Sequence, residues 1–382
     1  MDFKLSKTHL LMQEMFRKFA ETEIKPLAED MDEAEEYSPE LLAKLQRYGF
    51  FGIPYSREYG GVGSDTLAYT LAMEEVSKVD ASTGITLSVH SSLCCYGLDS
   101  YGTEDQKRKW LTPLIDGSKF GCFGLTEPNA GSDAAGQQTK AVLSEDGSEY
   151  IINGTKIFTT NSGFADTCLL FAMTDKSLGN KGITAFAVDL HSEGVSVGKN
   201  IRRMGIRAAS NCEVAYENVH VPVENRIGKE GQGFKIAMQC LDAGRIGIAA
   251  QSVGIAQGAL NEAIKYIKER KQFNKRISSF QNSQFKCAEL QTMIDAARLL
   301  TWRAAVAKDN REPISSHAAM AKLFASDVAN KVTRDCVQLM GGYGFSREYP
   351  VERAMRDAKI TEIYEGTSEV MKMVIAGGMK VK

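Results

Sequence analysis

The spacing of apolar residues divides the chain into three regions. The first region, residues 1–118, is predicted to be helical, because apolar side chains recur every three or four positions, as they do over residues 10–19. Ser38 followed by Pro39 is typical of a helix start, and Gly49 stands where that helix should end. We therefore predict an N-terminal helical domain.

The second region, residues 119–225, changes to short runs that are typical of strands. Asn153 and Gly154 lie between two such runs and indicate a two-residue hairpin turn, because both positions of that turn need positive φ. Further strands are predicted at 169–173, 183–190 and 212–221. A small β-domain is the expected result.

The third region, residues 226–382, returns to helices that carry long apolar stripes. Two stripes follow the helical repeat: Val253, Ala256, Leu260, Ile264 and Ile267 in one, and Met320, Phe324, Val328, Val332, Cys336 and Met340 in the other. Helices of this length are expected to pack side by side as a bundle. The fold class is therefore mainly α with a middle β-domain.

Composition narrows the possible functions. The 382 residues contain 46 Lys and Arg against 48 Asp and Glu, a formal charge of −2, which disfavours a nucleic-acid binder that depends on phosphate neutralisation. No apolar stretch approaches the roughly 20 residues that span a bilayer, and the N-terminus lacks the pattern of a signal peptide. We expect a cytoplasmic protein with no membrane span.

Several common kinds of active site are absent from the sequence. The eight cysteines include no C-x-x-C pair and the five histidines are scattered, so we expect buried reduced thiols and no metal site. The chain also contains no dinucleotide-binding glycine fingerprint, no P-loop and no G-x-S-x-G nucleophile motif. Chemistry must therefore reside in less familiar segments.

Five groups of residues, taken together and in this order, resemble the acyl-CoA dehydrogenase family. They are GLTEPNAGSD at 124–133, KIFTTN at 156–161, LDAGR at 241–245, ERKQF at 269–273, and QLMGGYGF at 338–345 with IYEGTSE at 363–369. The resemblance covers essentially the whole chain and is greatest to the short-chain, butyryl-CoA-type members of bacteria.

The resemblance implies an architecture and an activity. The family combines an N-terminal α-domain, a β-barrel-like middle domain and a C-terminal four-helix bundle, and it holds FAD without a Rossmann fold. Its members remove two hydrogens from an acyl-CoA thioester and pass electrons to an electron-transferring flavoprotein. A homo-oligomer, a tetramer by analogy, with each FAD site shared between subunits, is also implied.

Glu365 is the residue that the resemblance identifies as the catalytic base. From its sequence context alone, a glutamate beside a glycine would more often lie in a solvated turn. In the short- and medium-chain members of the family this carboxylate removes the α-proton while flavin N5 accepts a hydride. Members specific for branched or long chains carry the base at the position of Gly244, where glycine offers no carboxylate.

The resemblance also assigns the binding residues. Those expected to contact FAD are Phe123, Leu125, Thr126, Gly131, Ser132, Phe158, Thr159, Thr160, Arg270, Gln272, Phe273, Gln281, Gln338, Leu339, Gly341, Gly342, Thr367, Ser368 and Glu369. Those expected to contact the acyl-CoA are Ser132, Asp242, Gly244, Arg245, Tyr364 and Gly366. Two residues depart from the family pattern: Phe158, where many relatives have tryptophan, and Asn274, where glycine is usual. Asparagine tolerates positive φ, so the turn at Asn274 is expected to be kept.

Several alternatives remain open at this stage. The same residues could reduce an enoyl-CoA in the reverse direction within a bifurcating complex, and the acyl chain could be propionyl, branched or aryl. The chain could also be a non-catalytic acyl-CoA-binding subunit. An oxidase that uses O₂ directly is disfavoured, because the chain is short for the additional C-terminal domain of acyl-CoA oxidases.

Overall fold

The computed structural model describes residues 4–381, and helices occupy its N-terminal part. The helices of this part are α1 (Lys7–Phe19), α2 (Ala28–Ala34), α3 (Pro39–Arg47), α4 (Thr66–Ser77), α5 (Ala81–Ser88), α6 (Tyr96–Tyr101), α7 (Glu104–Gln106) and α8 (Thr112–Ile115). A π-helical segment, Val89–Cys95, joins α5 to α6. The predicted start and end of α3 are confirmed: the Ser38 hydroxyl accepts a hydrogen bond from the Leu41 N–H at 3.2 Å, and Gly49 has a φ of 73°.

A mixed β-sheet follows the N-terminal helices. Its strands are β1 (Gly121–Gly124), β2 (Lys140–Leu143), β3 (Glu149–Thr160), β4 (Thr167–Met173), β5 (Ile183–Asp189), β6 (Val195–Val197), β7 (Asn211–Pro222) and β8 (Arg226–Ile227). They are ordered β6-β7-β3-β2-β4-β5-β8, and β1 pairs with β4 in parallel. The strands predicted at 169–173, 183–190 and 212–221 correspond to β4, β5 and β7.

The hairpin predicted at Asn153 and Gly154 is wrong. Strand β3 runs straight through both residues, and its register against β7 shifts between Ile152 and Gly154, which marks a bulge. A Cβ on Gly154 would lie 2.4 Å from the Thr139 hydroxyl oxygen, so this glycine permits the close approach of another segment and not a chain reversal. The reversal between β2 and β3 occurs instead at Gly147, whose φ is 72°.

Long helices form the C-terminal part. They are α9 (Gly233–Glu269), α10 (Gln281–Asp309), α11 (Ser315–Met340), α12 (Gly342–Phe345), α13 (Val351–Ile360) and α14 (Ser368–Gly378), with a small hairpin of β9 (Lys271–Gln272) and β10 (Lys275–Arg276) between α9 and α10. Helices α9, α10 and α11 pack against one another, and α13 and α14 pack on α11. Among residues 4–381 no helix is long and apolar enough to cross a bilayer.

One apolar core connects the three parts of the chain. It includes Leu93 from the N-terminal helices, Leu169 from the sheet, and Ile246 and Val328 from α9 and α11. The sheet is thus packed into the same core as the helices. The domain boundaries at 118/119 and 225/226 stay predictions.

Candidate active site

Glu365 lies in the loop 361–367 between α13 and α14, and its backbone is left-handed. Its φ is 53°, and the φ of Gly366 is 102°. A non-glycine residue in this region is uncommon and persists only where its surroundings hold it. At Gly366, a Cβ would come within 2.6 Å of the Met371 methyl carbon, so the loop also needs glycine for space.

The carboxylate of Glu365 fills a space that Gly244 leaves on α9. A Cβ on Gly244 would lie 2.0 Å from Oε2 of Glu365 and 2.8 Å from Cδ2 of Leu93. The two positions at which the family carries its base therefore meet in this structure. Only a residue without a side chain at 244 allows the Glu365 carboxylate to occupy this place.

Burial dominates the electrostatics of Glu365. Both carboxyl oxygens are inaccessible to solvent, and neither has a hydrogen-bond partner among the described residues. Burial raises the pKa of Glu365 to about 8, while the positive charges of Arg245 and Lys322 act in the opposite direction. A carboxyl group with a pKa this close to neutrality can both take up and release a proton in solution near pH 7.

Two buried cations hold the backbone of the loop. Arg245 donates from Nε to the carbonyl oxygen of Glu365 at 3.1 Å and from Nη1 to Oδ1 of Asp242 at 2.6 Å. Lys322 donates from Nζ to the carbonyl oxygen of Gly366 at 2.7 Å. The structure thus brings together Asp242, Gly244, Arg245 and Glu365.

Tyr364 connects the loop to α9 and α5. Its hydroxyl donates to the side-chain oxygen of Gln251, whose Nε2 in turn donates to the carbonyl oxygen of Ala81 at 2.8 Å. Gln251 is fully buried. Sequence reasoning missed both Gln251 and Lys322, although each is a polar residue within an otherwise small and apolar helical stripe, which is a usable signal.

Phe158 is the most exposed of the predicted flavin-site residues in the sheet. Its side chain is 57% exposed and its φ is 56°, at a second register shift of β3 against β7. Thr159 and Thr160 beside it are buried. The Thr160 hydroxyl accepts from Nδ2 of Asn211 at 3.2 Å, whereas the Thr159 hydroxyl has no partner among the described residues.

A buried ion pair fixes the loop that follows β1. Nζ of Lys156 donates to Oε1 of Glu127 at 2.8 Å, to the carbonyl oxygen of Leu125 at 3.0 Å and to Oε1 of Gln137 at 2.9 Å. The Ile157 N–H donates to the carbonyl oxygen of Thr126 at 2.9 Å. The segment with Leu125 and Thr126 is therefore held directly against the strand that carries Phe158.

Other predicted residues lie in β1, in the loop that follows it and at the start of α14. The Phe123 ring packs on Phe171 with 5.0 Å between centroids. Gly131 and Ser132 are exposed, and a Cβ on Gly131 would meet nothing within 4 Å. Thr367, Ser368 and Glu369 begin α14, where the Thr367 hydroxyl accepts from the Val370 N–H at 3.3 Å.

An open groove of about 590 Å³ gathers a second group of predicted residues. It is lined by Arg270, Gln272, Gln338, Leu339, Gly341 and Gly342, together with others. The guanidinium of Arg270 lies 5.4 Å from the centre of the Tyr343 ring. None of the predicted residues of the sheet lines this groove. On this chain the predicted FAD contacts therefore fall into two groups.

The β9–β10 hairpin beside the groove keeps the expected turn. Asn274 has a φ of 60°, as predicted, and Phe273 before it has a φ of 52°. Two successive left-handed residues are typical of a type I′ turn. The Phe273 side chain is 88% exposed, and Gln281 lies exposed at the start of α10.

Comparison with protein families accounts for nearly the whole chain. Three family models match in order: the acyl-CoA dehydrogenase N-terminal domain at residues 6–118, the middle domain at 122–219 and the C-terminal domain at 231–380. The chain belongs to the acyl-CoA dehydrogenase family, a class of FAD-dependent oxidoreductases.

Individual relatives are similar over their full length. The short-chain-specific acyl-CoA dehydrogenase of Clostridium acetobutylicum is 54% identical, and the match covers 99% of each chain. The solved structure of butyryl-CoA dehydrogenase from Megasphaera elsdenii superposes with a TM-score of 0.98 at 48% identity, over 100% of both chains. A structure from work on the electron transferring flavoprotein of Acidaminococcus fermentans and flavin-based electron bifurcation gives a TM-score of 0.97 at 51% identity, over 99% of both chains.

Proposed function

We propose that the chain catalyses the FAD-dependent α,β-dehydrogenation of a short-chain acyl-CoA, with Glu365 as the base that removes the α-proton. The observation that carries the proposal is the buried Glu365 carboxylate, which has no hydrogen-bond partner among residues 4–381 and whose pKa burial raises to about 8. An α-proton of a thioester is only weakly acidic, so its removal needs a base that water does not stabilise as an anion. The short-chain specificity of the similar dehydrogenase of C. acetobutylicum supports the substrate class.

The backbone of Glu365 can assist the same step. Its N–H donates no hydrogen bond to any residue that the structure describes. A free N–H at this point can donate to the thioester oxygen as negative charge develops there, which is how an oxyanion hole lowers a barrier. Arg245 and Lys322 meanwhile hold the carbonyl oxygens of Glu365 and Gly366, in the two peptide groups that follow this N–H along the chain.

The residues of the two predicted groups fit FAD. Phe158 offers an exposed aromatic face, and the Thr159 hydroxyl has no hydrogen-bond partner in the part of the chain that the structure describes. At Gly341 and Gly342 a Cβ would meet nothing within 4 Å. We assign the flavin ring to the sheet residues around Phe158 and Thr160, and the pyrophosphate and adenine to the groove. When bound, FAD supplies the hydride acceptor for the β-carbon.

The separation of the two groups supports a shared site. The groove carries a guanidinium and two glycines but none of the predicted sheet residues, and the exposed Phe273 lies beside it. We infer that the groove of one subunit completes the flavin site of another, in a homotetramer. Sedimentation of the FAD-loaded protein, with and without Phe273→Ser, tests this: dissociation together with loss of FAD is expected, and an FAD-replete monomer would contradict it.

Glu365→Gln tests the main proposal. Glutamine keeps the shape of the side chain but cannot accept the proton, so the variant should bind FAD and butyryl-CoA yet reduce its flavin at least about a thousandfold more slowly under anaerobic conditions. Glu145→Gln, in the exposed turn between β2 and β3, is the control. Reduction of the glutamine variant at the wild-type rate would show that Glu365 is not the base.

The reverse reaction is a second candidate, favoured by the protonation state of Glu365. With a pKa of about 8, the free carboxyl is mostly protonated at neutral pH and can donate its proton to the α-carbon of an enoyl-CoA. The similarity to the chain studied with the flavoprotein of A. fermentans supports a role beside an electron-transferring flavoprotein. Crotonyl-CoA reduction by NADH that requires added electron-transferring flavoprotein would establish this direction.

The remaining alternatives give different results in the same experiments. A non-catalytic acyl-CoA-binding subunit would show the same substrate affinity in wild type and Glu365→Gln and no flavin reduction in either. Propionyl, branched and aryl chains are separated from butyryl by the same anaerobic titration. The cytoplasmic location stays a prediction.

A further inference from the structure

Lys322 is a buried ammonium group that has no ion-pair partner among residues 4–381. Its side chain is 0% exposed, and its Nζ donates a hydrogen bond to the carbonyl oxygen of Gly366 at 2.7 Å. Arg245 next to it has a counter-ion in Asp242, at 2.6 Å. A charge buried with a single acceptor is costly unless another charge compensates it. The acidic groups around it include Glu365, Glu362 and Asp327, and of these Glu365 directly precedes the glycine whose carbonyl Lys322 binds.

The environment of Lys322 reflects this relation. Burial lowers the pKa of Lys322 to about 8, and among the neighbouring charges that oppose this lowering Glu365 has the largest effect. Lys322 in turn lowers the pKa of Glu365 against the effect of burial. The titratable and charged groups that face either residue are Arg245 and Cys240 on α9, Tyr69 on α4, Asp327 on α11, Glu369 on α14, and Glu362 and Tyr364 in the loop.

We propose that Lys322 is a positioning residue for the base: its ammonium group fixes the loop through the Gly366 carbonyl and favours the ionised form of the adjacent Glu365 carboxylate. The inference rests on the proposed function only for its consequence on turnover. The hydrogen bond sets the geometry of the left-handed pair Glu365 and Gly366. The charge, which lies close to the carboxylate without bonding to it, favours ionisation while leaving both oxygens free for substrate.

Infrared spectroscopy tests the charge directly. The carbonyl band of a protonated carboxyl that disappears in Glu365→Gln belongs to Glu365, and its loss with rising pH gives the titration midpoint. In Lys322→Met and Lys322→Gln the midpoint should rise by about one pH unit or more, as expected when a neighbouring opposite charge is removed. Lys322→Arg should stay close to wild type. Lys331→Gln, a half-exposed lysine on the same helix, is the control.

Kinetics supply the second readout. With butyryl-CoA, the neutral variants should lose about tenfold in the rate of flavin reduction at neutral pH and recover most of it at alkaline pH. A merely structural role would lower the rate equally at every pH. An unchanged midpoint in both neutral variants overturns the proposal, and so does failure of both to fold while Lys331→Gln folds.

The two proposals fail in different ways. If butyryl-CoA does not reduce the wild-type flavin, the proposed function is wrong, yet the infrared midpoint still reports on Lys322 and Glu365. If the wild type is active and the midpoint does not move, Lys322 has no positioning role while the proposed function stands.

Discussion

Replacing Gly244 with alanine places a methyl group where the Glu365 carboxylate lies. The added Cβ would stand 2.0 Å from Oε2 of Glu365, whereas ordinary contacts begin at 3.4 Å, so the carboxylate must move by about 1.4 Å. Cδ2 of Leu93, at 2.8 Å from the same Cβ, is also closer than an ordinary contact, so the methyl group meets two neighbours at once. A displacement of about 1 Å at a reacting group can cost on the order of a hundredfold in rate. We expect a loss of that size in flavin reduction.

Rapid-mixing measurement of anaerobic flavin reduction by butyryl-CoA checks this prediction. Helix propensity alone would make alanine stabilising by up to about 1 kcal/mol, so a lower melting temperature would separately report the collision. Gly377→Ala is the matched control, because a Cβ there meets nothing within 4 Å. A Gly244→Ala enzyme with wild-type rate and stability would refute the contact between the two positions.

Two further predictions concern the pH dependence of stability and the buried ion pair between Lys156 and Glu127. Burial raises the pKa of Glu365 from 4.5 to about 8, so the folded state binds this proton more tightly than the unfolded state does. The free energy of unfolding of the wild type, relative to Glu365→Gln, should therefore fall as the pH rises from 4.5 to about 8. Denaturant titrations at several pH values measure this difference. Lys156→Met leaves Glu127 buried without its partner and should destabilise the protein by about 3–5 kcal/mol, measured by denaturation.

The helices and strands with local signals were predictable from the sequence. Ser38 caps α3 as its residue type requires, and the apolar runs of β4 and β5 fall where β-branched and aromatic residues cluster. The hairpin prediction at Asn153 and Gly154 was wrong because the same dipeptide is compatible with a two-residue turn and with a β-bulge. Gly154 packs closely against Thr139, a residue of another segment, and a turn signal within residues 153 and 154 carries no information about that contact.

The candidate site was predictable as a set of residues but not as an arrangement. The segment with Glu365 resembles a family motif. Its arrangement, however, arises where α9, α11 and the loop meet: the backbone is left-handed, the carboxylate contacts Gly244, and neither carboxyl oxygen has a hydrogen-bond partner among the described residues. Lys322 and Gln251 become functional candidates only because the folded structure brings them into contact with the loop that carries Glu365. A single sequence carries no record of such long-range pairing.

The contact between Gly244 and Glu365 also limits how an enzyme of this kind can change in evolution. A glutamate introduced at 244 while Glu365 remains would force two acidic groups into a space for one, and losing Glu365 first would leave no base. Each order of substitution passes through an impaired ancestor. Lineages with the base on one segment or the other are therefore expected to stay separate, and a substitution at 244 should spread only together with one at 365.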